Sequence, residues 1–131
     1  MEIHFKIIGV LLLFLALVHI IFPKYFNWEN ELQSLSLINK QMMIVHTFFI
    51  GLMVFLMGLL CLTASYDLIS TQLGKKISLG LGIFWLARFF IQFFGYSSSL
   101  WKGKKLETSI HILFAGLWAY FSIIFIGTYF K

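Results

Sequence analysis

The sequence predicts an all-α integral membrane protein: a four-helix transmembrane bundle with a short interfacial helix between spans one and two. Three observations predict it. The 131 residues are 60% hydrophobic and only 11% charged, a balance few water-soluble domains reach. Four apolar runs follow one another, each close to the roughly 20 residues that cross a bilayer. The charged residues gather between those runs. A single transmembrane domain, 1–131, suits the length.

Span one is expected at about 5–22. Lys6 near its start and His19 near its end are its only strongly polar side chains. A lysine followed by an apolar run resembles a signal peptide, but the run ends at Pro23 without a small-residue cleavage site, so a retained span is expected. Pro23 is expected to stop the helix. In the polar connection that follows, Trp28, Leu32, Leu35 and Ile38 recur at helical spacing. With Asn27 as N-cap and Glu29 in the first turn, an amphipathic helix over about 27–38 is predicted to lie on the membrane surface.

Span two, about 42–63, contains MIVHTFFIGLMVFLMGLLC over Met43–Cys61. Met43, His46, Met53, Met57 and Cys61 fall on one stripe at about 100° per residue. That stripe is either core packing by adaptable side chains or a soft-ligand path for Cu(I). Gly51 and Gly58 are expected to permit close helix approach. A turn over 64–76 carries Asp67, Lys75 and Lys76. Span three is expected at about 77–96, with Arg88 and Gln92 one turn apart on one face. A loop over 97–107 leads to span four, about 108–130, with Thr108 as a candidate cap.

Four crossings place both termini on one side. Lys24, Lys40, Lys102, Lys104 and Lys105 then lie on the far side, against Lys6, Lys75, Lys76 and Lys131 on the near side. Five lysines against four give only a slight lean towards a cytoplasmic far side.

The same topology brings His19, His46 and His111 to the far side. Each lies three or four residues inside its span, roughly 5–6 Å below the interface. Gln92 sits at a similar depth. His111 shares its face with Ala115, Trp118 and Ser122, the small and polar side of span four. Neutral imidazole is the commonest metal ligand, so His19, His46 and His111 are candidate ligands for copper, iron or zinc. Two imidazoles facing across a bundle would instead suit haem b. The alternative is three interfacial histidines bonded to backbone, water or head groups. Arg88 lies roughly 12 Å below the interface with no acidic residue in any span to pair with it. It snorkels along the helix, meets an anionic guest, or pairs with Glu29 or Glu31 folding inward from the loop, and Arg88, Gln92 and Trp118 are grouped with the histidines as cofactor-binding candidates.

Several classes are excluded. The net charge of +5 reflects lysines at membrane edges rather than a nucleic-acid surface, because no basic run with interleaved aromatics faces water. The lone cysteine, Cys61, forms no intrachain disulfide. No metalloprotease, nucleophile-elbow, phosphate-loop or dinucleotide motif is present. The absence of Asp and Glu from the spans argues against a carboxylate-driven pump. A serine nucleophile stays open, since Ser122 and Ser97–Ser99 exist, but nothing visibly pairs them with a base.

The segment Ile110–Trp118, IHILFAGLW, resembles the Leu-His-x-x-x-x-x-x-Trp helix of copper-resistance D membrane proteins and their haem-handling relatives. The resemblance implies that His111 is a cofactor ligand in a small helical bundle. The whole-chain layout is similar to that of small four-span bacterial proteins, which implies a bacterial inner membrane. The leading expectation is therefore a histidine-ligated redox or metal-handling site. The alternatives are an accessory subunit of a membrane complex and a zinc-dependent hydrolase or lipid-modifying enzyme. The expected partners are the lipid bilayer and, beyond it, other membrane subunits or a second copy of the chain.

Overall fold

The computed structural model describes residues 1–96, 100 and 102–131. Among them there are six helices and no strand: α1 (Glu2–Tyr25), α2 (Trp28–Glu31), α3 (Leu37–Thr63), α4 (Ser65–Ser70), α5 (Gln72–Phe94) and α6 (Lys105–Tyr129). Four of them, α1, α3, α5 and α6, are long and apolar enough to cross a membrane, at 24, 27, 23 and 25 residues. At about 1.5 Å per residue each exceeds the roughly 30 Å of a hydrocarbon core.

The chain divides into two compact units, Ile3–Ser65 and Tyr66–Lys131, the latter joined by Met1–Glu2. In the first unit, Phe5, Ile8, Gly9, Leu12 and Ala16 form the buried stripe of α1. Gly51, Val54, Gly58 and Cys61 form that of α3. Both stripes step by three and four residues, as one helix face must. Glycine sets how closely they meet. A Cβ on Gly58 would lie 2.9 Å from the Gly9 carbonyl oxygen, and one on Gly51 would lie 3.1 Å from the His19 Cβ.

The expected methionine stripe is not this face. Met43 and Met53 are exposed, at 38% and 54%, and only Cys61 of that stripe is buried. From Phe48 to Leu62 every face of α3 is apolar, so hydrophobicity does not choose the contact surface. The glycines do, because only they let two backbones approach.

Helix boundaries depart from expectation in four places. Pro23 does not stop α1. Phe26 N–H reaches the Phe22 carbonyl at 2.9 Å, so the last turn survives. Termination falls instead to Asn27, the one non-glycine residue with positive φ (53°) among the described residues, as asparagine tolerates. Asn27 is also the N-cap of α2, but its side chain makes no cap bond.

The interfacial helix over 27–38 is a single turn, Trp28–Glu31. Ser36 takes an extended backbone, accepts from Asn39 N–H at 3.4 Å and starts α3 at Leu37. So Leu37 and Ile38 belong to the long helix. The turn over 64–76 contains α4 and the start of α5, and Lys75 and Lys76 are helical. There Thr71 accepts from Gly74 N–H at 2.9 Å and donates to the Asp67 carbonyl at 2.7 Å. A Cβ on Gly74 would collide with that carbonyl. Finally, α6 begins at Lys105, so Thr108 lies inside it and donates its N–H to the Lys104 carbonyl. The loop expected over 97–107 lies partly outside the described residues.

In the second unit α5 and α6 pack against each other. Ser78, Gly82, Trp85 and Gln92 are buried on α5, and Ala115, Trp118, Phe121, Ser122, Phe125 and Thr128 on α6. Gly82 marks the close approach, since a Cβ there would lie 2.9 Å from the Ile126 nitrogen. The face thus carries two tryptophans, a glutamine and several hydroxyls.

Candidate functional site

Each polar group on the α5–α6 face must find a partner inside the protein or go unsatisfied at a cost. Gln92, 6% exposed, is the hub. The Trp118 indole N–H donates to Gln92 Oε1 at 3.3 Å. Because an indole only donates, this fixes the amide oxygen towards Trp118 and the amide nitrogen towards α6's other polar ring. That ring is His111: Gln92 Nε2 donates to its Nδ1 at 2.9 Å. With Nδ1 accepting, the neutral imidazole carries its proton on Nε2. Phe93 meets the His111 ring edge-on at 5.4 Å.

Arg88, one turn before Gln92, completes the cluster. Its guanidinium carbon lies 5.5 Å from the Trp118 ring and 5.5 Å from the Tyr96 ring, a cation held between two aromatic rings. Nη2 donates to the Tyr96 hydroxyl at 3.1 Å. Nη1 is buried and has no hydrogen-bond partner among the described residues. Trp118 also stacks with Phe114, parallel at 5.5 Å, and with Trp85, near-parallel at 4.9 Å. Trp85 is 2% exposed, and its indole N–H is the second buried donor without a partner among the described residues. Trp85 and Arg88 are three residues apart on α5 and so share a face. The cluster holds more hydrogen-bond donors than acceptors, and it holds a cation without a carboxylate. The only acidic residue of α5 and α6 is Glu107, exposed in the first turn of α6.

Of the expected site residues, Arg88, Gln92, His111 and Trp118 come together here. The other two histidines belong to the first unit. His19 donates Nδ1–H to the Leu15 carbonyl at 2.8 Å, which leaves the lone pair on Nε2. It lines an apolar groove with Thr47, Gly51 and Phe48. His46 is exposed on α3. No group of three or more His, Cys, Asp or Glu side chains is placed to hold a metal among the described residues. Ser122 donates to the Ala119 carbonyl at 3.0 Å, with no base at hand among the described residues, and Ser97–Ser99 lie outside them.

Sequence reasoning missed Trp85 and Tyr96. The signal for Trp85 was present: an indole one turn from an arginine in a long apolar run needs an acceptor.

Comparison with family models, with curated proteins and with solved structures finds no match.

Proposed function

We propose that this chain is an integral membrane protein that binds the polar head of a membrane-dissolved molecule at the Arg88–Gln92–His111–Trp118 cluster. Four long apolar helices, with large hydrophobic side chains exposed along each, support the membrane setting. The observation that carries the binding reading is the surplus of buried donors. Arg88 Nη1 and Trp85 Nε1 have no acceptor among the described residues. In hydrocarbon neither water nor lipid tail offers one, so a guest that brings acceptor oxygens satisfies both. Gln92, His111 and Trp118 hold the aromatic wall in place and leave Arg88 as the recognising charge.

Native mass spectrometry of protein extracted in mild detergent tests this. The unaltered chain is expected to carry a bound small amphiphile that Arg88→Gln loses. Equal retention by both contradicts the proposal. Arg88→Gln removes a charge from an apolar helix, which favours insertion, so loss of the guest is not a folding defect.

A second reading is a histidine-ligated transition metal or haem b. One observation favours it: His19 gives Nδ1–H to a backbone carbonyl, the arrangement that orients Nε2 for a metal. One observation sets it second. His111 could ligate through Nε2 only by moving its proton to Nδ1, and Gln92 would then have to flip its amide nitrogen against the Trp118 N–H. Metal analysis with a visible spectrum of protein from supplemented cells tests it. A stoichiometric metal or a Soret band, lost in His19→Ala, would support it. A colourless, metal-free protein would end it.

A further inference from the structure

Building on the reading that the Arg88 cluster binds a polar head, we infer that the head is a carboxylate on a long apolar tail, received by Arg88 Nη1 and the Trp85 indole, with the Tyr96 hydroxyl as the group it displaces. Three observations lead there.

The first is charge. Arg88 carries one positive charge, and α5 has no acidic residue to neutralise it. A guest with one negative charge leaves the apolar interior neutral. A phosphate monoester, at about −1.5 to −2, would leave an excess to be buried.

The second is depth. Arg88 lies six residues before the end of α5 at Phe94, or about 9 Å along the helix. A phospholipid head with its glycerol does not belong at that level. A carboxylate, the smallest monoanionic head with two acceptor oxygens, does, and two oxygens match the two donors left over, Arg88 Nη1 and Trp85 Nε1.

The third is the position of Tyr96. Its hydroxyl accepts from the guanidinium at 3.1 Å, and its ring covers the cation from an exposed position just beyond α5. A neutral phenol oxygen is a weaker acceptor than a carboxylate oxygen, so the Tyr96 hydroxyl gives up Nη2 and swings aside when an anionic head turns the guanidinium towards itself at Nη1. Trp118 and the Trp85 ring stacked on it are buried whereas Tyr96 is exposed, so the approach is from the Tyr96 side.

The experiment is a displacement titration on the intact chain in detergent micelles at alkaline pH. Dibromostearic acid quenches tryptophan fluorescence, and each competitor restores it. Hexadecanoic acid should compete about tenfold better than its methyl ester, the worth of one charge-assisted hydrogen bond. Arg88→Gln should erase that preference. Tyr96→Phe, which keeps the ring and removes the hydroxyl, should tighten binding of the acid a few-fold. Equal competition by acid and ester, while Arg88→Gln still loses its guest in the mass spectrum, would overturn the carboxylate and leave the binding site standing. Hexadecyl phosphate outcompeting hexadecanoate would do the same. Butanoate competing as well as hexadecanoate would overturn the long tail. Weaker binding to Tyr96→Phe would overturn the displacement. No quenching at all in the unaltered chain would overturn both the inference and the reading beneath it.

Discussion

Gln92 shows how much one side chain can decide. Its amide satisfies a donor-only indole on one side and an imidazole on the other, and both lie in an apolar surrounding. Gln92→Leu keeps the volume and removes the amide that both rings bond, leaving the Trp118 N–H without its acceptor. A loss of about 1–3 kcal/mol is expected in reversible denaturant unfolding in micelles. Trp118→Phe in the same background should recover part of that loss, because it removes the stranded donor. Arg88, Gln92, Trp118 and His111 were legible as a group from the sequence, since a charge and an amide one turn apart in a span demand explanation. His19 and His46 were grouped with His111 by depth, and His46 also by its place on the stripe of span two. Depth along a helix does not fix direction around it, and it cannot say which helices pair.

Helix contacts turn on glycine. Gly58→Leu pushes its side chain against the Gly9 carbonyl and the Leu12 Cβ, contacts that have no room to yield. A destabilisation of about 1–3 kcal/mol is expected from overpacking, measured by the same unfolding assay. At Gly80 nothing lies within 4 Å of where a Cβ would stand, so Gly80→Ala should be neutral or should stabilise by about 0.5–1 kcal/mol through helix propensity. The four long helices were legible because their apolar runs are long and uninterrupted. Their ends were not. Pro23 suggested a stop that Asn27 makes instead, four residues later. The periodicity over 27–38 spelled a helix, yet a short helix in water is marginal, and Ser36 captures Leu37 and Ile38 for α3. The methionine stripe was periodic as well, but in a stretch of helix apolar on every side periodicity carries no information about the contact face.

For the molecule as a whole, the expected behaviour is that of an integral membrane protein. The chain should stay in the pellet after alkaline carbonate extraction, and tags at the two termini should be accessible from the same side; release into the supernatant would contradict the membrane setting. Composition made four helices long and apolar enough to cross a membrane the most legible feature of the three scales. The function is the least legible, since it depends on which buried donors remain over once the protein has satisfied the rest. The central claim is that Trp85 and Arg88 await an acceptor from outside the chain. Titrating hexadecanoic acid into protein with nitrogen-15-labelled tryptophan, and following the indole N–H resonances, tests it most directly. The Trp85 resonance should move downfield as it gains a bond, while that of Trp118, already bonded to Gln92, stays in place. A Trp85 resonance that does not move on saturation would contradict the account.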